Sequence, residues 1–236
     1  MPSYKGYRYP SEVIAHCVWL YHRFSLSLRA HEELILERGG VVSYEAVRQW
    51  SLKFGPDYAA ALRRRGPISG DEWHLDEVFI KAHDRQSYLW RAVGAATATC
   101  WTSWSLTAGK RPRPGGSSAS SSEAPRPCPR EIVTDKLRSY GAAHRTVTLS
   151  VEQRSSKYLN NRAEFSHLLT RQREYAMQGL RSVATAQRLL AMFSRISPHF
   201  RPPRHLMPAT AYRTEMTRRC TTWNTITGTA SMTLAA

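Results

Sequence analysis

Acidic residues are scarce in this chain: 18 Asp and Glu stand against 34 Lys and Arg in 236 residues, giving a formal net charge of +16 and a pI near 10.2. That excess goes beyond what solubility requires and points to a polyanionic partner, most simply nucleic acid bound through its phosphates. Cysteine is also scarce. Cys17, Cys100, Cys128 and Cys220 are scattered without metal-ligand spacing, which argues against a zinc module and fits a reducing, cytoplasmic setting. Long apolar runs are missing too. The uncharged stretch from Ala92 to Gly109 consists largely of Ala, Thr, Ser and Gly, so no transmembrane helix and no membrane partner are expected. The opening Met1-Pro2-Ser3-Tyr4-Lys5 lacks the apolar core of a signal peptide.

Against this background one stretch stands out: Trp73-His74-Leu75-Asp76-Glu77-Val78-Phe79-Ile80 places a carboxylate pair inside an apolar, strand-like run. Asp is depleted from strands and costly to bury unless paired, hydrogen-bonded or metal-bound. Asp76 therefore requires a partner. Two later acids are candidates: Asp135, ending the run Ile132-Val133-Thr134, and Glu164, in Asn160-Asn161-Arg162-Ala163-Glu164.

Before this strand, residues 11 to 55 read as three short helices. Ser11 is placed to cap the first, which carries Ile14, Cys17, Val18 and Tyr21; Ser27 caps the second, which stops at Gly39-Gly40. Ser43 opens the third, whose Ala46, Val47, Trp50 and Phe54 form one apolar stripe. The pattern suggests a helix-turn-helix in which Tyr44, Glu45, Arg48, Gln49 and Lys53 face outward. Arg and Gln are types that pair bidentately with guanine and adenine edges. A small three-helix unit can also serve only to pack against a neighbour, and the basic composition favours DNA. Arg63-Arg64-Arg65-Gly66-Pro67 then marks a boundary and reads as a solvated linker, with arginines able to touch phosphates.

Beyond the Asp76 strand, His83-Asp84-Arg85-Gln86 reads as a turn and Ser87 to Val93 as a second strand of a hairpin. From 94 to 129 periodicity vanishes into Thr, Trp, Ser, Pro and Gly, the composition of a disordered segment. Strand pattern returns at Glu131 to Asp135, followed by a helix through Leu137 to Tyr140 and a strand at Val147 to Val151. Asn161 fits a helix cap. Glu164, three residues on, then has two readings: a capping-box acid, or a ligand at the start of the helix, with His167 on the same face. An amphipathic stretch runs from Val183 to Ile196, and residues 201–236 read as a basic tail with a frayed, Thr-rich end.

If Asp76, Asp135 and Glu164 meet, they form an all-oxygen site suited to Mg²⁺ or Mn²⁺ and to phosphodiester displacement. Local sequence alone leaves their convergence open. A resemblance bears on it. Trp73-His74-Leu75-Asp76-Glu77, Tyr88-Leu89-Trp90-Arg91-Ala92-Val93, Val133-Thr134-Asp135-Lys136 with Ser139-Tyr140-Gly141, and Tyr158-Leu159-Asn160-Asn161-Arg162-Ala163-Glu164 resemble the DDE transposases of bacterial insertion sequences, specifically the IS-six family. The similarity covers nearly the whole chain outside 94–129. It implies an α/β architecture: a helix-turn-helix DNA-binding domain over 1–66, then a ribonuclease-H-like mixed-sheet catalytic domain over 67–200 with Asp76, Asp135 and Glu164 as the metal-binding triad. The interval from Asp135 to Glu164 is a little shorter than the family's usual one. The resemblance further implies a bacterial, nucleoid-associated protein. It would bind double-stranded DNA as terminal inverted repeats and target, contact it through Tyr44, Arg48, Gln49, Lys53, Arg63, Arg64 and Arg65, and work as a homo-oligomer.

The chain departs from the family between 94 and 129, where a third core strand and its helix belong. Thr99 to Ser105 can be encoded so that a shift of one nucleotide reads Val-Leu-Asp-Ile-Leu-Val, a buried strand. With the same offset Gly116 to Glu123 can be read as Phe-Phe-Arg-Lys-Leu-Leu, a helix fragment. Two compensating frameshifts would disrupt the strand and helix. The expectations are therefore an active transposase, or a DNA-binding derivative that no longer cuts; a plain ribonuclease-H-like nuclease fits the N-terminal helices poorly.

Overall fold

The computed structural model describes residues 2–65, 72–82, 85–94, 100–101, 106–108, 130–134, 152–155, 161–177 and 182–229. The chain forms two compact units, Met1–Gly66 together with Ala191–Ala236, and Pro67–Leu190.

The first unit is helical and is built around one long helix. α1 spans Ser11–Arg23, α2 Leu28–Glu37 and α3 Tyr44–Arg65, and α3 packs against both others. Ser27 caps α2 as expected, its Oγ accepting from the Ala30 N–H at 3.0 Å. Gly39, at φ +78°, lets the chain turn out of α2, and the Gly40 N–H returns to the Ile35 carbonyl at 3.0 Å. Ser11 does not cap α1. Pro10 occupies the cap position and Ser11 is the first helical residue, its hydroxyl donating to Glu12 at 3.1 Å.

α3 also runs past the expected end at 55, through Gly55 and Pro56 to Arg65. Pro56 has no N–H to give the Leu52 carbonyl, a local loss. The buried series Phe54, Tyr58, Ala59 and Leu62 continues the apolar stripe and carries the helix through it. Arg63, Arg64 and Arg65 are therefore not a linker but the exposed last turn of α3, where cations favour the helix dipole.

Aromatic rings converge on this helix. Tyr4 and Tyr7 meet Phe54 at 5.0 and 5.1 Å between centroids, and Tyr9 meets Trp50 edge-on at 5.1 Å. The Tyr4 hydroxyl lies 2.6 Å from that of Tyr58 and donates to the Thr227 carbonyl at 2.6 Å. α5 (Val183–His199) contributes Met192, Phe193 and Ile196 to this core. Gly55 provides the clearance, since a Cβ there would lie 2.5 Å from Met192 Sδ.

The Thr-rich end is a helix rather than a frayed tail. α6 covers Ala209–Thr227, packs on α3 and ends at Gly228 with φ +76°. Thr217, Thr221, Thr222, Thr225 and Thr227 donate back to carbonyls four residues earlier at 2.9–3.1 Å, which satisfies the hydroxyls without strengthening the helix. Burial of Trp223 and Ile226 along one face offsets the poor helix formers. Arg219 reaches the His199 carbonyl at 2.7 Å and the Pro198 carbonyl at 3.2 Å, satisfying the end of α5.

The second unit holds a mixed sheet. β1 (Glu72–Ala82) and β2 (Arg85–Gly94) form the expected antiparallel hairpin, in register from Trp73↔Gly94 to Ala82↔Arg85. β5 (Glu131–Thr134) lies parallel to β1, and β6 (Glu152–Ser155) parallel to β5. β6 thus starts just after the expected strand at Val147 to Val151, which lies outside the described residues. β3 (Cys100–Trp101) and β4 (Leu106–Ala108) both pair with β2, so the order is β3-β2-β1-β5-β6 with β4 also on β2. The stretch from 94 to 129 is accordingly not wholly without regular structure, since β3 and β4 extend the sheet along the edge of β2. α4 (Asn161–Ala176) packs against β1 and β2. The expected turn at His83 and Asp84, the helix from Leu137 to Tyr140 and the Ser-rich run at 117–122 fall outside the described residues.

Trp223 ties α6 to the helical core, edge-on to Tyr58 at 5.1 Å and to Phe200 at 5.3 Å, and its indole N–H makes no hydrogen bond among the described residues. Trp223→Ala should cost the helical unit about 3–5 kcal/mol, the range for truncating a buried large aromatic. Trp223→Phe should cost clearly less. Denaturant unfolding of the full chain followed by circular dichroism checks both, and equal losses would contradict the packing assignment.

Candidate functional site

Two of the catalytic candidates lie on described elements of the second unit, Asp76 on β1 and Glu164 on α4. Asp76 stands in β1 opposite Arg91 of β2, and β1 is paired along both edges. On its β5 side the register runs Glu72↔Glu131, Trp73↔Ile132 and His74↔Val133. His74 and Val133 are buried, so one face of the sheet is covered at this level. Position 76 follows two residues after His74. Asp135 directly follows Thr134, the last residue of β5, and lies outside the described residues. Glu164 is the fourth residue of α4, the helix packed on β1 and β2. Among the described residues, no group of three His, Cys, Asp or Glu side chains is placed to hold a metal ion.

Two groups in these elements escaped sequence reasoning. His74, two residues before Asp76, is buried, and so is Arg173 on α4, at 1 % exposure. A buried guanidinium demands compensation. Neither carried a signal in spacing, since strand alternation and helical periodicity describe faces without saying which polar residues the core will take.

The nucleic-acid candidates all lie on α3. Val47, Trp50 and Phe54 are buried, while Tyr44, Arg48, Gln49 and Lys53 are exposed on the first turns and Arg63, Arg64 and Arg65 on the last. At 1.5 Å per residue the helix is about 33 Å long, so the arginine run lies far along it from the first group.

Glu45 ties the first group together. It accepts from Arg48 Nε at 2.8 Å and Nη2 at 2.6 Å, and from Gln49 Nε2 at 3.1 Å. The start of α3 is fixed in turn to α2, because Glu32 accepts from the Tyr44 N–H at 3.2 Å. The Arg48 and Gln49 hydrogen bonds bring the Glu45 carboxyl down to about 2. Elsewhere in the helical unit, burial pushes the Cys17 thiol up to about 12, so it offers neither nucleophile nor thiolate ligand at neutral pH.

A model of the DDE domain matches residues 70–202, more than half of the chain. The transposase of the insertion sequence-like element IS431mec from Staphylococcus aureus is 30% identical over 95 residues, 40% of this chain and 42% of that protein. The transposase of insertion sequence element IS257 in transposon Tn4003, also from Staphylococcus aureus, is 28% identical over 95 residues with the same coverage. The chain therefore spans less than half the length of these curated relatives. Among solved structures, a chain of the simian T-cell lymphotropic virus intasome in complex with PP2A regulatory subunit B56 gamma covers 75% of this chain and 65% of its own, at 13% identity and a TM-score of 0.35. That score establishes no shared fold. No described helix is long and apolar enough to cross a membrane.

The pairing at Glu45 has a direct test. A carboxyl lowered from 4.5 to about 2 keeps its pairing with Arg48 above pH 4.5 and loses it as pH falls toward 2, and at this exposed position the stability linked to that change is small. In a carbon-detected NMR titration Glu45 should titrate near 2, and Arg48→Ala should return it toward 4.5. An unchanged midpoint in the variant would contradict the pairing.

Proposed function

The chain belongs to the IS-six family of DDE transposases, and from that premise we propose that it binds the terminal inverted repeats of an insertion sequence and catalyses metal-dependent cleavage and strand transfer of DNA. The observation that carries the proposal is the strand order in the second unit. β5 runs parallel beside β1, and the helix bearing Glu164 packs on β1. If the His74↔Val133 register is carried two residues onward, positions 76 and 135 become neighbours on one face, by the two-residue alternation of strands. A ribonuclease-H-like arrangement, with antiparallel β1 to β3 and parallel β5 and β6, accords with that order.

The residues fit a hard divalent cation. Brought together, the three carboxylates would make an all-oxygen donor set, and an acid in a strand paired to β2 throughout and to β5 up to His74 needs a counter-charge. Asp76, Asp135 and Glu164 would hold Mg²⁺ or Mn²⁺, which when bound supplies activation of the attacking hydroxyl and neutralisation of the leaving oxygen. The remaining work falls to the helical unit. Arg48 and Gln49 of α3 would read base edges from the major groove, with Tyr44 and Lys53 beside them, and Arg63, Arg64 and Arg65 would hold phosphates. Joining two element ends requires at least two copies of the chain, hence a homo-oligomer working at the nucleoid in the bacterial cytoplasm.

A second reading has its own observation. β3 and β4 are only two and three residues long. A full third strand would bury apolar surface at about 25 cal/mol per Å², which two such short pieces do not supply. Two compensating frameshifts over 94–129 would produce this, leaving a protein that binds repeat DNA with impaired cutting.

The full chain incubated with Mg²⁺ or Mn²⁺ and DNA carrying the element's own ends should nick at the repeat boundary, and Asp76→Asn or Glu164→Gln should abolish nicking while leaving DNA binding in place. Binding without nicking in the unaltered chain would support the impaired reading, and the nucleotide sequence of codons 94–129 decides its cause. Arg48→Ala should cost roughly 1–3 kcal/mol of discrimination at one base pair. Unchanged preference among repeat sequences would remove Arg48 from the recognition surface.

A further inference from the structure

The acid at position 45 is unexpected on a helix face meant to approach a polyanion, where an unpaired carboxylate repels phosphate. Stability does not explain it, since exposed ion pairs of this spacing contribute little, and both side chains here are exposed, at 48% for Arg48 and 42% for Glu45. The hydrogen-bond inventory is more informative. Glu45 engages Nε and one N–H of Nη2 on Arg48, leaving both N–H groups of Nη1 and the second of Nη2. That remaining edge is the one a guanidinium presents bidentately to guanine O6 and N7. On Gln49, Glu45 takes one N–H of Nε2 and leaves the other together with Oε1, the pair that adenine N6 and N7 require. One carboxylate thus immobilises two flexible side chains and spares their base-reading atoms. The bond from the Tyr44 N–H to Glu32 fixes the helix start from which Glu45 projects.

We propose that Glu45 is a positioning residue for sequence recognition: it holds Arg48 and Gln49 in base-reading orientation and offsets the Arg48 charge, so that specific binding gains relative to binding through phosphates alone. The inference rests on the DNA-reading role proposed above for α3. Preorienting the two side chains removes rotamer entropy that binding would otherwise have to supply, and the carboxylate disfavours sites where Arg48 meets only phosphate.

The test uses the full chain and a random-sequence duplex library. The preferred duplex selected by the unaltered chain and a scrambled duplex of the same length are titrated with the unaltered chain, Glu45→Ala and Glu45→Gln, at several salt concentrations. Glu45→Ala should lower the ratio of specific to scrambled affinity about tenfold, chiefly through a gain on the scrambled duplex and a loss on the selected one. Glu45→Gln, which keeps an oxygen that accepts from Arg48, should retain most of the ratio. Thermal unfolding should be unchanged in both variants, separating positioning from folding. An unaltered ratio in Glu45→Ala, even with both affinities raised equally, would overturn the proposal and leave Glu45 as a surface charge. If the unaltered chain selects no sequence at all, the recognition role of α3 fails first, and the Glu45 proposal falls with it.

Discussion

Backbone pairing along both edges of β1 is the constraint on which the sheet unit of this molecule depends. A strand hydrogen-bonded on one side only could slip or twist away, but β1 is locked antiparallel to β2 over its length and parallel to β5 at its start. A one-residue slip would exchange the faces of every side chain on it. The register therefore fixes where position 76 stands relative to the end of β5, and α4 packs onto the same strands. A site made of carboxylates gains most from such a frame, because metal-assisted chemistry is sensitive to displacements of about 1 Å.

The helical unit solves a different problem. Its α3 exposes Tyr44, Arg48, Gln49 and Lys53 on one side, and the buried side needs support from aromatic as well as aliphatic residues. Aromatic rings supply that support: Phe54 takes Tyr4 and Tyr7, Trp50 takes Tyr9, and Tyr58 takes Trp223. Large rings bury much area for few rotatable bonds, and offset or edge-on contacts add to it. The Tyr58 hydroxyl donates to that of Tyr4 at 2.6 Å, Tyr4 donates on to the Thr227 carbonyl, and burial raises both above the usual phenol range. Neither ionises near neutral pH, so the stack carries no charge to disturb the basic face.

Much of this was legible in the residues, and the failures have physical causes. The first three helices, the β1–β2 hairpin, the strand ending before Asp135 and the helix from Asn161 follow from periodicity and turn chemistry. Ser27 capped as its type predicts, whereas Pro10 displaced Ser11 from the cap, since Pro offers no side-chain acceptor but suits the extended backbone before a helix. α3 was expected to end by 55, yet buried Tyr58 and Leu62 beyond that point outweigh the hydrogen bond that Pro56 cannot make. α6 was hidden because Thr is a weak helix former, and the burial of Trp223 that offsets this emerges only with α3 to pack on. The acids at 76, 135 and 164 were named from motif and resemblance. The grip of Glu45 on Arg48 and Gln49 needed coordinates.

The central claim is that Asp76, Asp135 and Glu164 share one cation. Paramagnetic broadening by Mn²⁺ in an amide NMR spectrum of the full chain tests it without requiring catalysis. At substoichiometric Mn²⁺ the amides of 76, 135 and 164 should broaden together while those of α3 near Arg48 stay sharp, and Asp76→Asn should abolish the effect at all three. Broadening at 76 and 135 with the Glu164 amide untouched would confine that glutamate to the start of its helix and contradict the shared site.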